Sequence, residues 1–256
     1  MTDQMIKTKT PLFIAHRGES CDAPENTLES INLAWQRNAD GIEIDIHLSR
    51  DNEIIVFHNK KIKTISGKRL LIKSLTLEEL RKYNAGISKI KKDVCTKIPT
   101  LKEVLLTVPS KKYIFIEIKC GVEIIPILKS ILSQSRLAPE QIKLIGFGLK
   151  KMALIKNAFP EYEIFLNKRA MMRKIFSGSV YRDNLIKKLK LNFLDGINLS
   201  YTNSLNSKMV QKFKLNNLKI FVWTVNNPNL AIKLFKLGVD GIMSDRQGWL
   251  RDNVNL

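Results

Sequence analysis

The sequence predicts an α/β fold, namely a TIM (β/α)8 barrel with a small inserted subdomain after the second strand. Short β-like apolar runs occur eight times along the 256 residues, and helical patterns separate most of them. Eight alternating strands and helices in a chain of this length are typical of the barrel. A doubly wound parallel sheet is the alternative, because it also alternates strands and helices. That fold does not require eight units, however, and no glycine-rich nucleotide turn follows the first strand.

The predicted strands are short runs rich in Ile, Val and Phe, which favour β structure. In chain order they cover residues 11–15, 41–48, 112–119, 142–147, 162–166, 193–200, 218–225 and 239–245. A further run at 53–58 follows the second strand too closely for a crossover helix. We interpret it as the return strand of a hairpin or the start of an insertion.

Three helix starts can be recognised from capping residues. Asn26 is predicted to cap the segment "NTLESINLAWQRNA", with Glu29 at the third helical position. Thr76 and Thr100 each begin a Thr-x-x-Glu pattern, which predicts a capping box at both sites. In the first of these helices the apolar positions share one face, which we expect to point inward: Leu28, Ile31, Ala34 and Trp35.

The stretch from 59 to 98 interrupts the alternation and is strongly basic. It holds twelve Lys and Arg against three Asp and Glu, whereas residues 1–58 hold five against ten. It has too few large apolar residues for a strong core of its own. We therefore predict one barrel domain over 1–256, with an insertion at about 59–98.

The formal net charge of +19 raises the question of an anionic partner. Lysines are scattered among Ile and Asn without interleaved aromatics, and aromatic residues make up only 7% of the chain. This pattern favours a lysine-rich composition over a nucleic-acid surface, so nucleic acid is not an expected partner. Small anions and an anionic membrane surface remain compatible with the charge.

Composition also indicates where the protein works. Hydrophobic residues make up 44% of the chain, which allows a sizeable core, but no apolar run approaches the ~20 residues that span a bilayer. The N-terminal segment lacks the apolar region of a secretory signal. The cysteines Cys21, Cys95 and Cys120 are odd in number and widely spaced, which favours reduced structural thiols. We expect a soluble, cytoplasmic protein.

The second strand, "GIEIDIH" at 41–47, carries charge on one face. Its isoleucines alternate at period two, so Glu43, Asp45 and His47 share the opposite face. Neither face of a strand in a parallel barrel is freely solvated. These charged side chains therefore need partners, and the mouth of a barrel is where such partners meet.

Other strand ends bring further polar groups to the same mouth. Strand one ends in His16 and Arg17, the run at 53–58 ends in His58, and "FIEIK" places Glu117 and Lys119 on one face. Three converging carboxylates require a cation, and oxygen ligands suit Mg²⁺ or Ca²⁺ better than zinc. A metal, two fixed cations and two imidazoles form a set suited to phosphate-ester chemistry.

Five stretches of the sequence resemble the glycerophosphodiester phosphodiesterase family. They are "HRGESCDAPENTLES" (16–30), "GIEIDIHLSRDNEIIVFH" (41–58), "IEIK" (116–119), "VWTVN" (222–226) and "GVDGIMSD" (238–245). The similarity covers nearly the whole chain. His-Arg-Gly, then Pro-Glu-Asn-Thr, then Glu-x-Asp and a second His form a specific combination.

The resemblance implies a TIM-barrel hydrolase with a subdomain inserted after strand two. The implied substrates are glycerophosphodiesters such as glycerophosphocholine or glycerophosphoethanolamine, which are cleaved to glycerol 3-phosphate and an alcohol. The resemblance implies that His16 and His58 are the acid–base pair. It implies that Arg17 and Lys119 contact the phosphate and that Trp223 lines the pocket. The implied ligands of one divalent cation are Glu43, Asp45 and Glu117. Trp223 is equally compatible with an ordinary core aromatic. His47 has no role in the family motif, which favours a supporting or packing role.

The sequence departs from the family pattern beside the second histidine. Asn59 stands where the family usually has Asp, and Lys63 stands where Arg is common. Asn brings no charge, so it supports a neighbouring histidinium less strongly and could lower activity or shift its pH optimum.

Three other functions therefore stay open. One is cleavage of lysophospholipids, with the basic insertion resting on an anionic membrane. Another is an inactive homologue that only binds phosphodiesters, which Asn59→Asp would test through a gain in rate. The third is a nucleic-acid-binding module, whose affinity would fall steeply with salt.

Overall fold

Eight parallel strands close into a barrel in this computed structural model, which describes residues 11–64, 67–83, 85, 96–169, 179–203 and 205–254. The strands in these ranges are Leu12–His16 (β1), Gly41–Leu48 (β2), Ile54–Val56 (β3), Lys61–Lys63 (β4), Arg69–Leu71 (β5), Tyr113–Ile118 (β6), Ile142–Gly146 (β7), Glu163–Lys168 (β8), Gly196–Ser200 (β9), Lys219–Trp223 (β10) and Gly241–Ser244 (β11). Around the barrel the order is β1, β2, β6, β7, β8, β9, β10 and β11. β1 pairs with both β2 and β11, which closes the sheet.

The predicted barrel is confirmed, and each of the eight predicted strands overlaps a barrel strand. The doubly wound alternative is wrong because the sheet has no open edge between β1 and β11. The run at 53–58 contains β3, which pairs antiparallel with β2 as the return strand of a hairpin.

A helix follows every barrel strand within the described ranges. The helices are Leu28–Gln36 (α1), Leu77–Arg81 (α2), Leu101–Thr107 (α3), Ile125–Ser133 (α4), Leu149–Ala158 (α5), Ser179–Leu191 (α6), Ser207–Leu215 (α7), Pro228–Leu237 (α8) and Gln247–Asp252 (α9). Of these, α2 belongs to the insertion. Short 3₁₀ turns cover 72–74, 122–124 and 139–141. None of the helices in the described part of the chain is both long enough and apolar enough to cross a membrane.

Two predicted capping boxes are confirmed and one predicted cap is wrong. Thr76 and Thr100 each accept a hydrogen bond from the backbone N–H of a Glu three residues later. The first helix is capped by Thr27 and not by Asn26, and Ser30 closes its capping box. Asn26 lies in the left-handed region at φ 60° because its carboxamide binds another strand of the barrel.

The described part of the insertion packs with β3 around a small apolar cluster. β4 and β5 form an antiparallel hairpin beside α2, and five residues of this region are fully buried: Ile55, Ile62, Ile72, Leu80 and Ile98. Cys21 and Cys120 are free thiols, and burial raises the pKa of Cys120 to about 11. Cys95 lies outside the described residues.

An apolar layer fills the lower half of the barrel. Its members point inward from six strands: Ile14, Phe115, Ile145, Phe165, Phe221 and Met243. The rings of Phe115 and Phe221 are 4.9 Å apart, and those of Phe165 and Phe221 are 5.0 Å apart, both edge to face. Two residues further along each strand the inward positions are mostly polar or half-buried. The apolar layer therefore forms the floor of the site.

Four helices end in the same type of turn at the barrel end where strands begin. One of the first two residues after each helix has positive φ, namely Asn38, Phe193, Asn217 and Gly238. Its N–H bonds the carbonyl three residues earlier, and the next N–H bonds the carbonyl five residues earlier. This is the Schellman arrangement, which favours Gly or Asn at the left-handed position. We call these four the helix-ending turns.

The same sequence, Asp-Gly-Ile, spans the start of three strands, at residues 40–42, 195–197 and 240–242. The carboxylate of each Asp accepts a hydrogen bond from a backbone N–H near the start of a neighbouring strand. The donor is Phe13 for Asp40, Ile164 for Asp195 and Ile220 for Asp240. Each is also ion-paired to a basic side chain. These three Asp-Gly-Ile junctions are a short internal repeat that secures the lower rim of the barrel.

Candidate active site

Three buried carboxylates meet at the carboxyl ends of β2 and β6. Glu43 and Asp45 share the inward face of β2, and Glu117 is the register partner of Asp45 on β6. The three side chains each offer an oxygen, and these atoms lie within 4.8 Å of one another. Glu43 and Asp45 are 2% and 1% exposed. The structure therefore brings together the three residues predicted as metal ligands.

The pKa values of the three carboxyl groups are shifted in different directions. Burial, together with repulsion from Asp45 and Glu117, raises the pKa of Glu43 well above its usual range. Burial and the Asp45 charge likewise raise the pKa of Glu117. Burial by itself raises the pKa of Asp45, but the positive charges of Lys119 and Arg17 outweigh this effect and lower the pKa. This cluster has more negative charge than its own cations neutralise.

Two cations flank the cluster as predicted. Lys119 Nζ lies 3.0 Å from Glu117 Oε1 and 3.2 Å from Asp45 Oδ1. Arg17 Nε lies 3.1 Å from Asp45 Oδ2, and its Nη1 donates to Glu25 at 3.1 Å. The positive φ of Arg17, 59°, turns the chain just past β1 and directs the guanidinium to the mouth.

Asn26 fixes Asp45 from the loop before α1. Its Nδ2 donates to Asp45 Oδ2 at 2.9 Å, and its Oδ1 accepts from the backbone N–H of Asp45 at 3.1 Å. Asn26 is 1% exposed. This carboxamide clamp leaves Asp45 Oδ1 facing the other carboxylates.

His16 is oriented by a polar network at the end of β11. Its Nδ1 is hydrogen-bonded to Asp245 Oδ1 at 2.7 Å, and its Nε2 lies 3.9 Å from Glu43 Oε2. Asp245 also accepts from Asn226 Nδ2 at 2.9 Å and from the Ser20 hydroxyl at 3.3 Å. Burial by itself raises the pKa of Asp245, but its bonds to His16, Asn226 and Ser20 outweigh it and lower the pKa to about 2. Nδ1 is thus occupied and Nε2 faces the carboxylate cluster.

His58 lies at the edge of the same site. Burial lowers its pKa to about 4, with Arg17 and Lys119 adding to the effect and Asp45 opposing it. Its backbone carbonyl is 3.2 Å from His47 Nε2, so His47 contacts the chain beside His58 rather than the carboxylate cluster. Asn59, the departure from the family pattern, is exposed.

Aromatic side chains form the wall of the mouth next to His16. The ring of Trp223 stacks 6.4 Å from that of His16, and Phe147 meets Trp223 edge to face at 6.3 Å. Trp223 Nε1 donates to the Asn198 carbonyl at 3.3 Å, which orients the indole toward the neighbouring strand β9. The guanidinium of Arg169 lies over Phe147 at 5.4 Å. Trp223 is thus half-buried between the apolar floor and the mouth.

The residues present fit a hard divalent cation. Asp45 Oδ1 is buried and has no hydrogen bond among the described residues, although the Lys119 ammonium is within ion-pair distance. All three candidate ligands offer carboxylate oxygen, which Mg²⁺ and Ca²⁺ prefer. A bound cation would also offset the repulsion that raises the pKa of Glu43.

Two residues of the site were not predicted from the sequence. Asn26 was interpreted as a helix cap, and Asp245 was noted only as part of a C-terminal motif. The position of Asp245 at the end of the last strand was the available signal, because catalytic groups of a barrel come from strand ends.

Comparison with known proteins identifies relatives of the whole chain. Residues 16–248 match the Glycerophosphoryl diester phosphodiesterase family. A glycerophosphodiester phosphodiesterase of Caldanaerobacter subterraneus subsp. tengcongensis is 32% identical over 239 residues, covering 91% of this chain and 93% of that protein. One from Bacillus altitudinis is 27% identical over 241 residues, covering 92% and 94%.

Solved structures show the same architecture. A phosphodiesterase of Oleispira antarctica, solved in complex with the product sn-glycerol-3-phosphate, superposes with a TM-score of 0.82 at 27% identity, covering 95% of this chain and 96% of that one. The glycerophosphodiester phosphodiesterase of Thermotoga maritima, at 24% identity, has a TM-score of 0.73 and covers 94% and 97%.

Proposed function

The chain belongs to the glycerophosphoryl diester phosphodiesterase family and is a phosphoric diester hydrolase, and on this premise we propose its substrates and mechanism. The proposed reaction is metal-dependent hydrolysis of small glycerophosphodiesters, such as glycerophosphocholine or glycerophosphoethanolamine, to glycerol 3-phosphate and an alcohol. The observation that carries the proposal is the buried cluster of Glu43, Asp45 and Glu117 beside two cations and an oriented histidine.

Arg17 and Lys119 are the proposed phosphate contacts. Both side chains are largely buried at the mouth, where a fixed positive charge acts on an anion more strongly than it would in water. The ion pair of Arg17 with Asp45 and its hydrogen bond to Glu25 restrain the guanidinium before substrate arrives. These cations would stabilise the negative charge that grows on the phosphate oxygens as the diester is attacked.

His16 and His58 are the proposed acid–base pair. One imidazole takes a proton from the attacking water as the new P–O bond forms, and the other donates a proton to the departing alcohol oxygen as the old bond breaks. Asp245 holds Nδ1 of His16, which leaves Nε2 free for that exchange. Asp245 is thus a positioning residue for His16 in this scheme.

Glu43, Asp45 and Glu117 are the proposed ligands of one divalent cation, Mg²⁺ or Ca²⁺. When bound, the cation would supply Lewis-acid stabilisation of charge on the phosphate. Asp45 Oδ1, which is buried without a hydrogen bond among the described residues, and the raised pKa of Glu43 support this assignment. Trp223 is proposed to line the pocket, because its ring lies beside His16.

Release of glycerol 3-phosphate from purified protein tests the proposal. We expect release from glycerophosphocholine or glycerophosphoethanolamine in the presence of Mg²⁺ or Ca²⁺, and loss of release with EDTA. His16→Ala and His58→Ala should each lower kcat by about 10²–10⁴-fold. Glu117→Gln should abolish the response to metal, whereas Glu123→Gln, which changes an exposed carboxylate nearby, should leave it intact.

Two outcomes would contradict the proposal. Release that persists in EDTA and in Glu117→Gln would remove the metal role. No release from either soluble diester with either metal, but release of lysophosphatidic acid from lysophosphatidylcholine micelles, would reassign the substrate to lysophospholipids.

A further inference from the structure

Two of the four helix-ending turns expose large apolar side chains at the barrel end opposite the active site. Leu191 and Phe193 follow α6 and are 67% and 75% exposed, and Leu215 at the end of α7 is 85% exposed. Lys190 Nζ lies 3.5 Å from Asn216 Oδ1, so the two turns are side by side. We call Leu191, Phe193 and Leu215 the lower apolar patch.

The other two turns show that this patch is not required by the fold. Three of the four turns have Asn or Gly at the left-handed position, namely Asn38, Asn217 and Gly238. The turn after α6 has Phe193 there, at φ 53°. A bulky side chain in that region is an outlier, and Asn or Gly is preferred. Phe193 is therefore unfavourable for the turn and, being exposed, gains nothing from burial in the isolated chain.

The four turns also differ at the position two residues before the left-handed residue. Leu191 and Leu215 occupy the position where the other two turns have Gln36 and Lys236. The turns share one set of backbone hydrogen bonds, so the comparison is position by position. All three apolar residues of the patch thus replace polar or small residues at equivalent places.

The charge around the lower apolar patch determines what can cover it. Residues 184–219 hold seven Lys and one acidic residue, Asp195, which is already bound to Lys156. Three of these lysines are themselves ion-paired, Lys212 to Asp183, Lys214 to Asp240 and Lys219 to Glu163, so the positive charge of this face comes mainly from α6. Lys187 and Lys188 are exposed on the last turns of α6, next to Leu191. A second copy of this chain, at +19, would be repelled by such a face. Apolar side chains next to exposed lysines match the boundary between anionic headgroups and acyl chains.

We propose that the lower apolar patch docks the protein on an anionic phospholipid surface, with Phe193 as the main inserted side chain. Docking through this end leaves the active-site mouth directed at water, where a soluble phosphodiester would be captured. The inference does not depend on catalysis, because the patch lies at the opposite end of the strands from Glu43 and His16. It also differs from docking through the basic insertion.

Sedimentation with vesicles tests the proposal. We expect the full chain to bind vesicles of phosphatidylcholine mixed with phosphatidylglycerol, and not phosphatidylcholine alone. Phe193→Asn should weaken binding by about tenfold while the melting temperature stays equal or rises, because Asn tolerates positive φ. The control is Leu106→Gln, which removes a side chain that is 67% exposed on α3 and should not change binding.

A charge-reversal pair separates this face from the insertion. Lys188→Glu should weaken vesicle binding about fivefold or more, whereas Lys68→Glu, an equal charge change in the insertion, should have little effect. The reverse result would overturn the proposal in favour of the insertion. Wild-type protein that binds neither vesicle, or a dimer that Phe193→Asn converts to monomer, would also overturn it. Release of glycerol 3-phosphate in solution should be unchanged in Phe193→Asn, which keeps this test distinct from that of the proposed function.

Discussion

Asp245, at the end of the last strand, orients the imidazole of His16 at the end of the first strand. It binds His16 Nδ1 and is itself held by Asn226 and Ser20. We predict that Asp245→Asn lowers kcat by about 10²–10⁴-fold with little change in KM. Asn has only one accepting oxygen, so it cannot satisfy both His16 and the Asn226 amide. Steady-state kinetics with glycerophosphocholine measure kcat and KM separately. A large rise in KM at constant kcat would contradict a positioning role.

Asn26 combines a backbone role with a contact to the metal cluster, and two substitutions separate them. Asn26→Gly keeps the positive φ but removes the clamp on Asp45, whereas Asn26→Ala removes both. We expect both variants to bind Ca²⁺ about 10–100-fold more weakly, as is typical when a group that orients a ligand is lost. Asn26→Ala should be less stable than Asn26→Gly by about 1 kcal/mol. Calorimetric titration and urea unfolding measure the two effects, and equal metal affinity in wild type and Asn26→Gly would show that the clamp does not support the cluster.

The same residue shows the limit of inference from sequence. Period-two spacing was sufficient to place Glu43 and Asp45 on one face, and Glu117 and Lys119 on another, because strand geometry is local. Asn26 and Thr27 are both good caps, however, and the choice between them depends on Asp45, nineteen residues away. The bond between His16 and Asp245 spans 229 residues and exists only because the barrel closes.

At the scale of elements, the Asp-Gly-Ile junctions depend on close approach between strands. A Cβ on Gly196, at φ 153°, would lie 2.0 Å from the Lys219 carbonyl oxygen. We predict that Gly196→Ala destabilises the protein by more than about 3 kcal/mol, since backbone must move to relieve the contact. Gly238→Ala is the matched control: its Cβ would meet Val210 at 3.7 Å, so only the cost of the left-handed conformation, about 1 kcal/mol, applies. Urea unfolding measures both, and equal losses would show that close approach at β9 is not limiting.

Strands were easier to predict than the details at their ends. The period-two alternation of Ile in 41–48 is a local signal of a strand, and the prediction matched β2 residue for residue. The strand predicted at 193–200 begins instead at Gly196, because Phe193 belongs to the turn that ends α6. An apolar residue in such a turn cannot be distinguished from the start of a strand by hydrophobicity alone.

At the scale of the whole molecule, the carboxylate cluster links stability to pH and metal. Because burial and repulsion raise the pKa of Glu43, the full cost of burying this carboxyl group applies above the raised pKa. The cost is lost as the pH falls from the raised pKa to the ordinary pKa of a glutamate. We therefore predict that Glu43→Gln stabilises metal-free protein by about 1–3 kcal/mol at mildly alkaline pH and by less at acidic pH.

Calcium should reverse the sign of that difference, because the wild-type carboxylate gains a cation that Gln binds poorly. Thermal unfolding of both proteins across pH, with Ca²⁺ or with EDTA, measures the effect. Glu123→Gln should show neither dependence. A Glu43→Gln variant that is less stable than wild type in EDTA at alkaline pH would contradict the charge imbalance.

The pairing of β1 with β11 has a consequence for how the chain is made. β1 is complete after His16, yet the backbone partner on one of its edges is β11, which begins at Gly241. Asp240 lies at this seam, where its carbonyl accepts the N–H of Leu12 and its carboxylate accepts that of Ile220. During translation, one edge of the first strand must therefore wait for nearly the whole chain to be synthesised. Unpaired edges invite association with other chains. The ribosome-bound barrel is thus exposed to misassembly until its final strand emerges, which makes closure of this seam a late and concentration-sensitive step of biogenesis.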